Sequence, residues 1–332
     1  MDRNNCGLSD IKVSPIASES CGVRSMCTLV ETPDIAVLLD AGVSLCPYRF
    51  NLPPHPIEFQ TIDKLRKAIA TAADKATVVT VSHYHFDHHT PSFEDWLVNW
   101  TNKTKTAQQI YKDKTVLAKN PKENINDSQR KRAWMFQKTA VKYAKTFEAA
   151  DSKSYTYGAT TLSFSPAIVH GPDDYSLGWV IMAIIQHCNE RFMFAPDVQG
   201  PMSIQTTELI LDAKPTVLML GGPPLYLEGT RVSEHLTKQA LLNLERIVEA
   251  VPLVILEHHI LRDGSWRSKL DDVFSRAQAV SHQVLTAAEY MGKENLFLES
   301  KRKQLFNDLP VSDEFKQWMK TLTGKTITKP PL

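Results

Sequence analysis

The sequence predicts an α/β protein folded as one large domain over residues 1–332, and three observations carry this. Strand-like apolar runs open the chain and return in its second half, with segments of helical periodicity between and after them. Five of those runs end in aspartate or histidine. Four of the 11 histidines fall within seven positions, in "HYHFDHH" at 83–89. At 332 residues the chain is long for one average domain and short for two. A hydrophobic content of 42% with 23% charged residues fits a globular protein with a large core.

The elements follow in order. "IKVSPIA" alternates apolar and polar residues as a half-buried strand does. "SMCTLVE" and "IAVLLDAG" flank the turn signal "TPD" and read as a hairpin. "LPPHP" is a stiff loop, because each proline fixes its own φ and restrains the residue before it. "TIDKLRKAIATAADKA" has helical periodicity, and "TVVTVS" is a buried strand that runs into the histidines. Residues 92–150 read as a helical insertion or cap, broken at "NPKENIND". Strands then return as "TTLSFSPAIVHG", "GWVIMAIIQ", "RFMFAPDVQG" and "PTVLMLGG", the middle two joined at "HCNE" as a hairpin. "SEHLTKQALLNLERIVEAV" is a helix with Ser233 as its N-cap. "PLVILEHH" is a further strand. Residues 270–332 read as a helical C-terminal region that loosens toward "TGKTITKPPL".

Composition removes several classes. Five cysteines, Cys6, Cys21, Cys27, Cys46 and Cys188, form no CxxC pair and are odd in number. A disulfide scaffold does not fit, and a reducing cytoplasm does. "MDRNNCGLSD" lacks the basic start and apolar core of a signal peptide. The longest apolar runs, such as "GWVIMAII", reach about half of the ~20 residues a membrane helix needs. These features point to a cytoplasmic protein with no membrane contact. The net charge is only +1, but residues 101–150 hold 12 Lys/Arg against 4 Asp/Glu, a local surplus of 8 that leaves −7 for the rest. Interleaved Trp134, Phe136 and Tyr143 make this segment a candidate surface for an anionic partner or a single-stranded nucleic acid. A solvated helical face is the plain alternative.

The chemistry concentrates at strand ends. "IAVLLD" ends in Asp40. "TVVTVS" leads into His83, His85, Asp87 and His88. "SPAIVHG" ends in His170, "RFMFAPD" in Asp197, and "PLVILEHH" in His258 and His259. Short loops at strand ends hold ligands on a rigid scaffold, as a metal site requires. Imidazole and carboxylate suit a borderline cation such as Zn²⁺, and the absence of cysteine argues against a structural thiolate site. An H-x-H-x-D-H loop can divide its side chains between two ions ~3.5–4 Å apart that share a carboxylate and a hydroxide.

"SHYHFDHH" resembles the signature of the metallo-β-lactamase-fold superfamily. "LLDAG", "IVHG", "APDVQG" and "LEHH" continue the resemblance in the same order over residues 35–262. "CGVRSMCTLVETPD", "GVSL", "LPPHPIE" and "LGGPP" resemble an uncharacterised archaeal branch of metal-dependent hydrolases within it. The resemblance implies an α/β four-layer αβ/βα sandwich, with the metals along one edge. It assigns His83, His85 and His170 to one metal and Asp87, His88 and His258 to another, with Asp197 bridging. Asp40 matches a residue that supports the ligand loop through hydrogen bonds. "LEHHILR" resembles "LTHFSxR" of related nucleases, which favours His258 as the ligand. A strand alternates faces, so only one of two adjacent histidines should reach the metals. His259 is the alternative ligand, or else a proton donor or substrate contact. Relatives with an iron redox centre carry Glu in place of His85, so zinc is expected, with iron or manganese as alternatives. Where relatives continue into a glycine-rich stretch, this chain has His89, Thr90 and Pro91, and His89 is expected to be a bystander.

The expected chemistry is hydrolysis by a hydroxide held between two zinc ions, with Asp87 orienting it. His259 and Asp263 are candidates for the leaving-group proton. A phosphodiester or nucleic-acid substrate leads because of the basic segment. A small ester, thioester or lactone is the alternative. A metal- or nucleic-acid-binding protein with little catalysis is the reading from another class. His55 could line the pocket, Arg262 could meet an anion or form a salt bridge, and Gly221–Gly222 suit a close backbone approach.

Overall fold

A computed structural model describes residues 9–173, 177–323 and 327–332; Cys6 and most of the N-terminal stretch lie outside the described residues. Two sheets stack face to face with helices on both outer sides. The first sheet holds β1 (Lys12–Ser18), β2 (Met26–Glu31), β3 (Ala36–Leu39), β4 (Val78–Val81), β5 (Thr115–Ala118) and β6 (Thr146–Ala149), in that order across the sheet. Its first three strands pair antiparallel and β3 to β6 run parallel. A two-stranded piece pairs β9 (Ile168–Val169) with β10 (Trp179–Val180). The second sheet comprises β7 (Ser154–Tyr157), β8 (Thr160–Phe164), β11 (Ala183–His187), β12 (Glu190–Ala195), β13 (Val217–Gly221), β14 (Leu253–Glu257) and β15 (Gln283–Leu285). The order across it is β15-β14-β13-β12-β11-β8-β7, with β12 to β15 parallel.

The layers follow from the period of two along each strand. Val37 and Leu39 of β3 face the second sheet and meet Phe192, Met219 and Ile255 in one buried cluster. Leu38, between them, faces outward. It shares a second cluster with α1 (Pro56–Lys75), α2 (Lys103–Tyr111) and α3 (Asp127–Lys138), through Phe59, Ile110 and Phe136. On the far side Leu218 and Val254 pack under α4 (Ile204–Ala213), α5 (Glu234–Ala250) and α6 (Asp271–Ala279). Strands buried on both faces read as unbroken apolar runs, which is why "TVVTVS" and "PLVILE" show no alternation.

Two expectations change. Residues 92–150 are not a helical insertion: β5 and β6 lie within the first sheet, between α2 and α3 and after α3. Strands of four residues such as "TVLA" are too short for period alone to separate from helix. The region from 270 on is helical in α6, α7 (Ala287–Tyr290), α8 (Arg302–Asp308) and α9 (Asp313–Lys320), but β15 lies within it. Phe315 of α9 packs tilted and Trp318 edge-on against Phe59 of α1, and Lys329 lies 5.1 and 5.0 Å from the ring centroids of Trp96 and Trp100.

His55 is structural. It caps α1: its Nδ1 accepts from Ile57 N, while Glu58 accepts from the His55 amide at 2.8 Å, a reciprocal capping box. Ser233 caps α5 by accepting from Leu236 N, as its position predicted. Cys21, Cys27, Cys46 and Cys188 are free. No helix among the described residues is long and apolar enough to cross a membrane.

Candidate metal centre

β3, β4, β12 and β14 all point their C-terminal ends toward one edge of the sandwich. That edge is where ligands gather in open α/β sheets. Asp40 follows β3, His83 to His88 follow β4, His170 follows β9, Asp197 follows β12 and His258 follows β14. Six histidines and three aspartates thus converge into overlapping groups, whose ligand atoms within each group lie within 4.8 Å of one another.

The first group is His83, His85, His170 and Asp197. Asp197 Oδ2 stands 2.5 Å from His170 Nε2, 3.3 Å from His83 Nε2 and 3.7 Å from His85 Nδ1. The second is Asp87, His88 and His258, with His258 Nε2 at 3.4 Å from His88 Nε2 and 3.6 Å from Asp87 Oδ2. Ligand atoms about 2.0–2.1 Å from one tetrahedral ion stand roughly 3.4 Å apart, so both groups have the spacing a small cation requires. Asp197 joins them: its Oδ2 also lies 3.8 Å from His88 Nε2, and its Oδ1 lies 3.7 Å from His258 Nε2.

The donor set fits a divalent ion on a second count. Asp197 Oδ1 is buried yet accepts no hydrogen bond. His259 Nε2 lies 3.0 Å from it, but without hydrogen-bond alignment. A buried carboxylate oxygen left without a donor is costly unless a cation meets it. Protonation states agree. Burial, with neighbouring imidazoles, pushes His83 well below its ordinary pKa. Burial also lowers His85, against the pull of Asp197. Burial and Arg262 take His258 down to about 4 and His259 to about 3. Asp87 and Asp197 are held below the carboxylate range, because the histidines around them outweigh the burial that would raise them. Charged carboxylates beside neutral imidazoles are the forms that bind metal. His88 differs: burial would lower it, but Asp40 and Asp87 together raise it to about 9.

Around the cluster sits a shell of orienting contacts. Asp40 Oδ2 takes His88 Nδ1 at 2.7 Å, and Asp40 accepts the Ser82 amide and hydroxyl as well. Gln199 Nε2 lies 3.3 Å from His170 Nδ1. Glu19 Oε2 is 3.6 Å from His258 Nδ1 and forms a buried pair with Arg262 at 2.9 Å. Arg262 is therefore committed to a salt bridge. Asp263 is occupied by Ser265 and by Lys269 at 2.9 Å and does not line the cavity at the cluster. His89 turns away from the cluster, its Nδ1 2.9 Å from the His85 carbonyl and its ring against Phe136.

Both adjacent histidines reach the cluster, contrary to the expectation from strand alternation. β14 ends at Glu257, and His258–Arg262 form a 3₁₀ turn that begins with His258 at φ 69°. His259 then lies beside Asp197, its Nδ1 3.0 Å from Arg262 Nη1 and 3.3 Å from the Tyr226 hydroxyl. Asp40 and Asp197 also adopt left-handed backbone, at φ 47° and 46°. Non-glycine residues there cost of order 1–3 kcal/mol each and persist where the surroundings fix them. Ser82, Gln199, Tyr226 and Glu19 escaped sequence reasoning. Ser82 and Gln199 lie within the motifs "SHYHFDHH" and "APDVQG", where a polar residue beside the candidate ligands is the signal that could have found them.

Four layers with this order of aspartate and histidine at one edge define the metallo-β-lactamase fold. The chain is 42% identical over 295 residues to a UPF0282 protein of Methanopyrus kandleri, covering 89% of this chain and 99% of that one. It is 42% identical over 296 residues to a UPF0282 protein of Thermococcus gammatolerans, covering 89% and 95%. The chain belongs to the UPF0282 family. Among solved structures, the metallo-β-lactamase fold protein YhfI of Bacillus subtilis aligns over 87% of this chain and 99% of its own, with 16% identity and a TM-score of 0.49. No family model matches the chain.

Proposed function

We propose that the protein is a metal-dependent hydrolase that holds two divalent ions, zinc in the first instance, and cleaves phosphodiester bonds in nucleic acid. The carrying observation is a pair of ligand groups that share Asp197 and open into a cavity of about 560 Å³. In this reading His83, His85 and His170 hold one ion, Asp87, His88 and His258 the other, and Asp197 both. Bound ions of this kind supply hydroxide at neutral pH and polarise the substrate oxygen. Asp87, at the cavity wall, accepts a hydrogen bond from the attacking group and so orients it. In this reading His259 contacts the substrate: its Nε2 lies 3.0 Å from Asp197 Oδ1, and the Tyr226 hydroxyl adjoins its other nitrogen. Asp40 and Gln199 keep His88 and His170 oriented.

The substrate preference is supported by the basic segment, of which Arg132 lines the cavity. The test is metal analysis of the purified protein, then turnover of a single-stranded oligonucleotide against a panel of lactones and thioesters, with D87A as control. About two ions per chain and oligonucleotide cleavage lost in D87A are expected. Turnover confined to the panel would move the substrate to a small ester, and metal binding with no turnover at all would leave a binding protein.

A further inference from the structure

Four arginines line the cavity: Arg24, Arg132, Arg231 and Arg262. Two are neutralised. Arg24 makes a two-pronged pair with Glu299 at 2.6 and 2.7 Å, and Arg262 pairs with Glu19 at 2.9 Å. Among the described residues, Arg132 and Arg231 have no ion pair. An unpaired arginine on an open surface would mean little, so position matters here. Arg132 is half-buried and lies with its guanidinium 5.4 Å from the ring centroid of Phe86, between the ligands His85 and Asp87. Its helix is fixed one turn earlier: Gln129 accepts from the Trp179 amide at 3.2 Å and donates to the Trp179 carbonyl at 3.0 Å. Gly178 permits that contact, since a Cβ there would stand 2.3 Å from Gln129 Oε1. Asp87 is the carboxylate whose charge favours this guanidinium, but no carboxylate makes an ion pair with it among the described residues. A cation held partly out of water without such a pair is costly unless an anion meets it.

Arg231 comes from the other half of the sandwich. Its loop follows β13 and is closed by its own amide to the Leu227 carbonyl at 3.0 Å, with Val232 to the same carbonyl at 3.1 Å. The preceding Tyr226 reaches His259 and carries the Arg49 guanidinium 4.7 Å from its ring centroid. Arg231 is exposed where Arg132 is half-buried, and neither makes an ion pair among the described residues. The place of Arg231 in the same cavity wall as Arg132, from the other half of the fold, is what gives it meaning.

We propose that Arg132 and Arg231 form a two-sided anion clamp, gripping phosphate groups flanking the bond to be cut and selecting a polyanionic strand over a neutral ester or lactone. Arginine suits this because its planar fork meets phosphate through two hydrogen bonds. The clamp rests on the hydrolase reading for the bond that is cut, but strand binding does not require cleavage.

The test is fluorescence anisotropy of a labelled oligodeoxythymidylate across a salt series, with R132Q, R231Q and R246Q. Arg246 of α5 pairs with Glu208 of α4 and does not line the cavity, so R246Q removes the same charge without touching the clamp. R132Q and R231Q are expected to bind about tenfold more weakly each, with unchanged metal content and melting temperature. The slope of log K against log salt should fall by about 0.7 for each lost phosphate contact. If R132Q fails to fold, R132K replaces it: the slope should persist while affinity drops, because charge remains and the fork is gone. A wild-type protein that does not bind the strand, or clamp variants that behave as R246Q does, would overturn the proposal. Strand binding that depends on both arginines without cleavage of the strand would sustain the clamp and remove the reading of the protein as a hydrolase of nucleic acid.

Discussion

His88 Nδ1 lies 2.7 Å from Asp40 Oδ2, with both side chains fully buried. Asp40 thereby fixes the orientation of the His88 ring and aims its Nε2 at His258 and Asp197. The same carboxylate accepts from Ser82, so one residue after β3 fixes the start and the far end of the histidine loop.

Removing that anchor should cost metal affinity more than fold. D40A is expected to weaken metal binding by about 10–100-fold in chelator competition, with near-wild-type far-UV circular dichroism. Equal affinity in D40A would mean that His88 is oriented without Asp40.

Gly42 is the second feature that holds the loop. A Cβ there would lie 2.3 Å from His89 N and 2.5 Å from two backbone atoms of His88. Backbone cannot retreat as a side-chain tip can. G42A should therefore lose about 1–3 kcal/mol of stability in urea denaturation, together with metal occupancy. An unchanged midpoint and full occupancy would show that the Asp40–Gly42 turn yields freely.

Arg66 lies buried beneath the same turn with no ion pair among the described residues. It donates to the Asn99 carbonyl at 2.9 and 2.6 Å, to Val43 O at 2.9 Å and to Thr90 Oγ1 at 2.7 Å, while Thr90 in turn donates to Ala41 O. Burial draws its pKa down to about 10. The departure at His89-Thr90-Pro91 thus has a structural use, because Thr90 ties the histidine loop to this cation. R66M strands those carbonyls and is expected to cost roughly 3 kcal/mol in denaturant unfolding. A loss below about 0.5 kcal/mol, the scale of an ordinary surface change, would refute it.

Glu299 should be legible in the acid limb of stability. Burial would raise its pKa, but the paired Arg24 holds it down to about 2, against an ordinary value of 4.5. Its folded pKa lies below the unfolded one, so its contribution is complete above about pH 4.5 and is lost as pH falls through about 2. Wild-type protein should lose stability more steeply than E299Q between those limits. Parallel curves would place the titration elsewhere.

Much of this protein was readable from the order of its residues. The apolar runs that became β3, β4, β12, β13 and β14 announce themselves because both of their faces are buried. An aspartate or histidine just past β3, β4, β12 and β14 announces a candidate site residue, because strand ends in such folds meet at one edge. The dense "HYHFDHH" needed no structure to be recognised as metal-binding in type. Its spacing also marks His89 as the residue left over, and His89 does turn away.

Contacts between distant segments were not legible. β5 and β6 were lost in a helical reading because four residues carry too little periodicity, and the first sheet, not the local sequence, makes them strands. His258 and His259 both reach the cluster because the chain leaves β14 through a left-handed residue, a conformation held by packing against Glu19, Asp87 and Asp197. Which of four arginines remains free depends on where Glu19 and Glu299 fall, 243 and 275 residues from their partners in sequence. Residue types and strand ends are local properties and can be read along the chain. Charge balance and the aim of a side chain belong to the folded neighbourhood, so only the tertiary structure decided them.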